Sequence, residues 1–321
     1  MKLLLIFTGG TIGSTEGGGT IAVDTEKPYL LLKQYAEQYP IDFTYDILTP
    51  LWEQSENFSG AHISALLQAV SAQINAGYDG IIVTHGTDTL NYSAAALGYA
   101  FGNDTAPICL VSANYPLENP RSNAIPNLHA AITLIRTGTE RGVFVPYRNG
   151  NEPTVQIHRA TRLSTSLSLT DEVFSVQNVS YGSIDGNGNL LKNPDFTEKN
   201  DQLNTPDKLA VTDKSNGILR VFPYPGMIYP TPTDDIRAVL LDTYHSGTVD
   251  GKSAEAHAFF TSVKSKHIPI FATGDTTYES ARIFADYGVI RLPISPIAAY
   301  IKLWMYGPQA DLTKSRGGDV L

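Results

Sequence analysis

A run of five apolar residues near the start of the chain, residues 3–7 (LLLIF), stops just before two glycines, Gly9 and Gly10. A short apolar run bounded by glycines is typical of a buried strand that ends sharply, and adjacent glycines allow a tight turn close to a ligand. Thr11 follows that turn, at the carboxyl end of the predicted strand, where open α/β sheets have their ligand crevices. The stretch therefore predicts either a ligand site at Thr11 or simply a strand followed by a loop.

Strand-like and helix-like segments alternate along the chain. One helical stripe has apolar residues at i, i+3, i+4, i+7 and i+11, namely Ile63, Leu66, Leu67, Val70 and Ile74. The next apolar run, residues 80–83 (GIIV), reads as a strand. This alternation predicts an α/β fold, with a parallel sheet and crossover helices.

The chain length indicates more than one domain, because 321 residues exceed what a single ordinary core accommodates. Apolar residues thin out over residues 194–214, where Gly, Asn, Asp, Lys and Pro predominate, and this segment is predicted to be an interdomain linker. We therefore expect a larger N-terminal α/β domain over residues 1–193 and a smaller, flavodoxin-like α/β domain over residues 215–321.

Composition argues against several classes of partner. The formal charge is −9 and the basic residues are not clustered, whereas a nucleic-acid surface needs clustered Lys and Arg. No apolar run approaches the roughly 20 residues of a membrane helix. The seven histidines show no metal-site spacing, and Cys109, the single cysteine, is predicted to be a buried strand thiol. We expect a cytoplasmic protein that binds no nucleic acid, membrane, metal or cofactor.

A second threonine-rich motif, residues 84–90 (THGTDTL), follows the predicted strand at 80–83. Thr87 and Asp88 place a hydroxyl and a carboxylate at this strand end, within reach of the crevice that Thr11 would line. Alternatively, Asp88 or Thr89 is only the N-cap of the following helix. His85 is predicted to be a structural histidine and not a base.

The two motifs, residues 8–13 (TGGTIG) and 84–90 (THGTDTL), together resemble the two signatures of the bacterial-type L-asparaginase family. Residues 112–123 are similar to a segment of its cytoplasmic type I branch, and the resemblance extends over essentially the whole chain. It implies hydrolysis of the side-chain amide of asparagine to aspartate and ammonia, by two successive displacements at threonine hydroxyls. A threonine hydroxyl needs a nearby proton acceptor to act in this way.

The resemblance also implies roles for individual residues. Thr11 would be the nucleophile, and Thr87 with Asp88 would form a second cluster. Ser55 and Glu56, with Asp88, would hold the α-carboxylate and α-amino group of the substrate. Further contacts are implied for the rest of the substrate loop and for the glycine turns, whose N–H groups can stabilise an oxyanion: Gln54, Gly10 and Gly86. Members of the family are homodimers or homotetramers whose sites are completed by a neighbouring subunit.

The sequence departs from the family pattern in the second cluster. The segment that should carry a lysine has Arg162 at the matching position. A desolvated lysine can lose its proton and act as a base, which an arginine effectively cannot, although an arginine can keep Asp88 ionised and orient Thr87. No lysine lies between Lys33 and Lys192. An alternative hypothesis is therefore a non-catalytic member that binds an amino acid or small amide as a sensor.

Two further positions differ from the pattern. The glycine-rich stretch around residues 17–19 is predicted to be either a mobile flap or a linker, and it has Thr20 where the family has an assisting tyrosine. Thr248 stands where an asparagine that reaches the neighbouring subunit's site is expected. A phosphate or nucleotide binder is the third hypothesis, and it is disfavoured because no lysine follows residues 13–15 as a P-loop requires.

Overall fold

The computed structural model describes residues 1–10, 14–17, 20–23, 27–150, 152–215, 217–274 and 277–321. Two sheets, each covered by helices, form a larger and a smaller α/β unit, which confirms the predicted fold class. Side chains are described from Tyr29 onward and for residues 1–10. Thr11 lies outside the described residues, and only the backbone is described at Thr20.

The described residues up to Lys192 contain ten strands: β1 (Lys2–Phe7), β2 (Ser14–Gly17), β3 (Thr20–Val23), β4 (Thr44–Leu48), β5 (Gly80–Thr84), β6 (Ile108–Val111), β7 (Val143–Tyr147), β8 (Val155–Arg159), β9 (Gly182–Ile184) and β10 (Leu190–Lys192). Eight of them form the larger sheet in the order β10-β9-β8-β7-β6-β5-β1-β4. The five strands from β7 to β4 run parallel, whereas β8, β9 and β10 pair antiparallel. The parallel part of the sheet agrees with the prediction from the alternation of strands and helices.

Four helices cover this sheet: α1 (Lys27–Gln38), α2 (Gly60–Gln73), α3 (Leu90–Phe101) and α4 (Ala124–Arg136). The predicted stripe on α2 is buried at Ile63, Leu66, Leu67 and Val70. These residues pack on one face of the sheet together with α3, while α1 and α4 pack on the other. The sheet is thus buried on both faces, as parallel sheets are.

The second half of the chain forms a four-stranded parallel sheet and three helices: β11 (Ile218–Val221), β12 (Ala238–Leu241), α5 (Ala254–Ser265), β13 (Ile270–Thr273), α6 (Ser280–Tyr287), β14 (Ile290–Leu292) and α7 (Pro296–Tyr306). The strand order is β11-β12-β13-β14, without the exchange of the first two strands seen in flavodoxin. In the sequence, Ser253 stands before this helix as a preferred N-cap residue, and the structure confirms it, since Ser253 Oγ accepts from Ala256 N at 3.0 Å. The sequence also indicates a capping box at Thr276, which lies outside the described residues.

The two units share helix and tail contacts. Helix α7 packs against α3, and Ala298 and Ile301 join the core of the larger unit. The C-terminal tail, residues 311–321, then returns to the larger unit, where Thr161 Oγ1 donates to the Gly317 carbonyl at 2.7 Å. Residues 194–214 contain no helix or strand, and the division of the chain at this segment stays a prediction.

Three local features differ from the predictions or sharpen them. The hairpin β9–β10 closes over residues 185–189 (DGNGN), whose Asp-Gly and Asn-Gly pairs are typical of hairpin turns. Strands β2 and β3 make a hairpin within the glycine-rich stretch and pair only with each other among the described strands. Cys109 is buried in β6, as predicted, and burial raises the pKa of its thiol.

Every helix within the described ranges is too short or too polar to cross a bilayer. Over the same ranges, no three His, Cys, Asp or Glu side chains are grouped closely enough to hold a metal ion.

Two buried histidines make stability depend on pH. Burial lowers the pKa of both His85 and His158 to about 4, from an ordinary value of 6.5. Between these values the unfolded chain binds protons that the folded chain does not, so the free energy of unfolding falls as the pH falls from 6.5 toward 4. His158→Gln should reduce this slope by about 1 kcal/mol per pH unit, measured by urea unfolding at pH 4.5 to 6.5. A slope identical to that of the parent protein would contradict this assignment.

Candidate active site

The two threonine motifs meet at the carboxyl ends of β1 and β5, which are adjacent parallel strands. Buried Thr8 joins them, since its hydroxyl donates to the Thr84 carbonyl at 2.7 Å. The glycine turns also touch, because a Cβ added to Gly10 would lie 2.3 Å from the backbone nitrogen of Gly86. The shared crevice expected from the sequence is therefore built on direct backbone contact between the two motifs.

The loop after β4 also borders this crevice. Glu53 runs alongside the first turn, where its carbonyl accepts from Gly10 N at 3.1 Å and its N–H donates to the Thr8 carbonyl at 3.0 Å. A short 3-10 turn over Ser55–Asn57 follows and brings Ser55 against Gly86. A Cβ at Gly86 would lie 2.3 Å from Ser55 Oγ. The loop and both glycine turns thus form one interlocked unit.

Hydrogen bonds hold Ser55 next to the second cluster. Its hydroxyl donates to Asp88 Oδ2 at 3.4 Å, and its carbonyl accepts from Thr89 Oγ1 at 2.9 Å. Thr89 occupies the N-cap position of α3, but its hydroxyl makes no capping bond, so the capping alternative fails for this side chain. Ser55 is only 2% exposed, whereas Asp88 and Glu56 face solvent. The predicted residues Gly10, Ser55, Gly86 and Asp88 therefore lie together.

Two carboxylates at the crevice, those of Asp88 and Glu56, are exposed to solvent. A third, that of Glu53, is hydrogen-bonded within its own loop. The Glu53 carboxylate accepts from Asn57 Nδ2 at 3.1 Å and from Gln54 N at 2.9 Å, and these bonds lower its pKa. Gln54 is half-buried beside it. Asp88 and Glu56 are therefore the carboxylates available to a cationic group of a ligand, such as an α-ammonium group.

His85 lies beneath the second turn as a structural residue. Its Nδ1 is 2.8 Å from the Gly86 carbonyl, to which it donates, and its ring meets the edge of Phe58 at 4.8 Å. The side chain is fully buried and its pKa is lowered, so it is neutral near pH 7. His85 thus packs against the Gly86 turn and against Phe58, which follows the Ser55–Asn57 segment.

Arg162 is buried and bound to the C-terminal tail. Its Nε donates to the Gly318 carbonyl at 2.7 Å, and its Nη2 donates to the carbonyls of Thr197 at 2.6 Å and Val320 at 2.7 Å. The guanidinium also stacks on Phe196, 4.5 Å from the ring centroid. The described contacts of Arg162 include neither Thr87 nor Asp88, so the expected link to the second cluster is not formed.

Residues 164–166, which follow Arg162 closely in sequence, contact α3. Asn91, in the first turn of α3, donates through Nδ2 to the Ser164 carbonyl at 3.1 Å and to Ser166 Oγ at 3.4 Å. Residues 164–166 (STS) therefore contact the helix that follows the second cluster, whereas the hydrogen bonds of Arg162 go to Thr197 and the tail. These three residues carry hydroxyls but no basic group. Asn91 was missed from the sequence because no motif marks it.

Two predicted residues have no described side-chain hydrogen bond to this cluster. Thr87 is half-buried and lies within it by sequence, between Gly86 and Asp88. Thr248 lies in the smaller unit, where its carbonyl accepts from Tyr244 N at 2.8 Å. It lines a cavity of about 690 Å³ with residues of the same unit. No described contact joins Thr248 to the cluster around Gly10.

The close contact at Gly10 predicts a large effect of a single methyl group. Gly10 has a φ of +73°, and its Cβ would meet the Gly86 backbone, so Gly10→Ala adds left-handed strain to a backbone clash. We expect the free energy of unfolding to fall by about 2–5 kcal/mol. Gly77→Ala is the matched control, since Gly77 has a φ of +81° in open space and should cost only about 1 kcal/mol. Equal losses in the two variants, measured by urea unfolding, would contradict the packing argument.

Comparisons with known proteins agree with this arrangement. The family model described as asparaginase, N-terminal, matches residues 2–194. The chain is 26% identical over 335 residues to a glutamyl-tRNA(Gln) amidotransferase subunit of Pyrococcus abyssi, covering 98% of this chain and 74% of the relative. It is 33% identical over 186 residues to L-asparaginase of Thermococcus kodakarensis, covering 57% of this chain and 53% of the relative.

Solved structures show the same fold over the full chain. The thermostable L-asparaginase from Thermococcus kodakarensis superposes with a TM-score of 0.78 at 23% identity, covering 100% of this chain and 99% of that chain. L-asparaginase I from Vibrio cholerae superposes with a TM-score of 0.72 at 20% identity, with the same coverage. The matched family model, which spans more than half of the sequence, settles the classification: the chain belongs to the asparaginase family of amidohydrolases.

Proposed function

We propose that the protein hydrolyses the side-chain amide of L-asparagine, or of a related ω-amide, to the carboxylic acid and ammonia. The observation that carries this proposal is the contact between the two glycine turns, with Ser55 and Asp88 hydrogen-bonded beside them. The exposed carboxylates of Asp88 and Glu56 give this crevice the acidic groups needed to hold the α-ammonium group of an amino acid. Asparagine carries that ammonium group and a side-chain amide in one molecule.

In the proposed reaction, Thr11 follows Gly10 directly and its hydroxyl oxygen attacks the amide carbon. The C–N bond breaks, the threonine proton passes to the leaving nitrogen, and ammonia departs from a threonine ester. Water then adds to the ester carbon and releases the acid, which restores the hydroxyl. Thr87 with Asp88 orients the second step, and Ser55 and Glu56 hold the α-carboxylate and α-ammonium groups. Gly10, Gln54 and Gly86 shape the crevice around them.

The test is ammonia release by the purified protein from asparagine, glutamine and a panel of simple ω-amides. Turnover of at least one of these amides is expected. Because several relatives are named as amidotransferase subunits, the panel must include glutamine and amides of larger acids. Failure to release ammonia from any member of the panel would overturn the proposal.

We further propose a cytoplasmic homodimer or homotetramer in which a neighbouring subunit completes each site. Thr248 supports this arrangement, because it lies in the smaller unit and has no described contact with the Gly10 cluster of its own chain. Thr20 would reach the same site from the β2–β3 hairpin. Sedimentation of the wild-type protein tests the oligomeric state directly, and a stable, active monomer would contradict it.

A second candidate function is amino-acid binding without turnover. It is favoured by the hydroxyl-bearing segment 164–166 beside α3, where no lysine is available as a base, and by the commitment of Arg162 to the tail. Calorimetry distinguishes the two functions, because saturable binding of aspartate or asparagine without ammonia release supports the sensor and excludes the enzyme.

The placement of Arg162 predicts the outcome of restoring a lysine there. Arg162→Lys loses at least two of three charge-assisted bonds to backbone carbonyls, so we expect the free energy of unfolding to fall by about 2–4 kcal/mol. No gain in ammonia release is expected, because the side chain at this position is directed to the tail. A rise of tenfold or more in activity would contradict this placement and return Arg162 to the catalytic cluster.

A further inference from the structure

A separate cavity of about 450 Å³ lies where α2 and α3 of the larger unit meet α7 of the smaller unit. It is bordered by the beginnings of α2 and α3, by residues 213–215 and by α7. Gly10, Gly86 and Asp88 are not among its lining residues. A volume of this size suits a ligand of about ten to fifteen heavy atoms, at the smaller end of protein ligand sites.

Four aromatic side chains line the cavity. Tyr92 and Tyr300 meet edge to face with centroids 6.0 Å apart, and Tyr300 and Trp304 lie 5.5 Å apart. Phe58, at the end of the Ser55–Asn57 turn, also lines the cavity. Rings arranged in this way bind a flat aromatic group by edge and face contacts.

Two hydroxyl groups of the lining can donate a hydrogen bond to a ligand. Ser93 is 1% exposed and lines the cavity, and its hydroxyl has no hydrogen-bond partner among the described residues. The Tyr92 oxygen accepts from Arg220 Nη1 at 3.4 Å, and its own proton has no acceptor within the same ranges. A buried donor without an acceptor costs free energy, which a ligand bearing an acceptor would recover.

The lining carries one basic and one acidic side chain, Lys214 and Asp213. Solvent-exposed Lys214 lines the cavity and contributes a positive charge. The one carboxylate in the lining, Asp213, accepts from Ala61 N at 3.3 Å at the beginning of α2, where the helix dipole also offsets its charge. Hydrogen bonds from the Ser59 side chain and from Ala61 N lower the pKa of Asp213, which is thus engaged by the fold.

We propose that this cavity is a second binding site, for a small aromatic carboxylate. The ring would lie among Tyr92, Tyr300 and Trp304, and the carboxylate would accept from Ser93 and pair with Lys214. The site shares Phe58 and Thr89 with the support of Ser55, so it lies beside the proposed hydrolytic site without overlapping it. The proposal is independent of whether the protein hydrolyses an amide.

Phenylacetate is a suitable probe because it combines one ring with one carboxylate and does not absorb where tryptophan is excited. The chain has two tryptophans, so Trp52→Phe leaves Trp304 in the cavity wall as the reporter. We expect phenylacetate to change Trp304 fluorescence saturably, with a Kd of about 1 mM or below. Benzyl alcohol, which lacks the charge, and acetate, which lacks the ring, should each bind at least threefold more weakly.

Three further variants in the Trp52→Phe background assign the contacts. Ser93→Ala and Lys214→Gln should each raise the Kd for phenylacetate by threefold or more. Lys33→Gln removes an exposed lysine outside the cavity and should leave the Kd unchanged. A fluorescence change that does not saturate, or a Kd that is the same in the Ser93, Lys214 and Lys33 variants, overturns the proposal.

Discussion

Thr11→Ala is expected to lower the rate of ammonia release from the best amide substrate by about three orders of magnitude or more, since it removes the proposed nucleophile. The residue directly follows Gly10 in sequence, and the Gly10 turn contacts both Gly86 and Glu53. Steady-state assays at saturating substrate measure the loss. The melting temperature should change little, because a small side chain is being shortened.

Thr11→Ser is the matched control, because it keeps a hydroxyl at the same position. It should retain between about 1% and 50% of the parent rate, since serine supplies the same nucleophilic group with more rotational freedom. If Thr11→Ala keeps activity within tenfold of the parent, Thr11 is not the nucleophile. The proposal would then have to be moved to Thr87.

Lys302→Met is expected to lower the free energy of unfolding by about 3–5 kcal/mol, because it breaks a buried ion pair on one side only. Lys302 Nζ lies 2.6 Å from Asp319 Oδ2, and both side chains are completely buried. Tyr99 Oη donates to the same carboxylate at 2.9 Å and Arg316 N donates to its other oxygen at 3.0 Å. Without the lysine, Asp319 would keep these two bonds but lose its counter-charge.

Lys252→Met is the control for this variant. Lys252 pairs with Glu279 at 2.8 Å, but the two side chains are 81% and 71% exposed, so water replaces the lost partner. Unfolding by guanidinium chloride should show no measurable change for this variant. A loss in Lys302→Met that is as small as the loss in the control would show that the buried pair does not stabilise the fold.

Local periodicity was sufficient to predict most of the larger sheet. The apolar run before Gly9 and the stripe on α2 report burial directly, because side-chain spacing follows strand and helix geometry. The hairpin of β9 and β10 was missed, since its strands have three residues each and one of them is largely exposed. Such short strands are set by pairing, of β9 with β8 and of β10 with β9, and not by their own pattern.

The candidate site was partly predictable for a similar reason. Gly10 and Gly86 occur in motifs whose glycines allow backbone contact, and Ser55 lies in a loop that the family resemblance identifies. The environment of Arg162 could not be inferred, because its partners Gly318 and Val320 are 156 and 158 residues away in sequence. No local pattern indicates whether an arginine side chain will turn toward a distant tail or toward a neighbouring crevice.

The return of the C-terminal tail also has a consequence for the order of folding. Tyr99 and Asp319 are 220 residues apart, and Thr161 and Gly317 are 156 residues apart. The larger unit therefore cannot complete its own core while it emerges from the ribosome, because its partners in the tail are synthesised at least 156 residues later. Contacts at such separation slow folding and prolong the exposure of apolar surface. In the growing chain, α3 and the segment around Arg162 lack these hydrogen-bond partners until the tail has been synthesised.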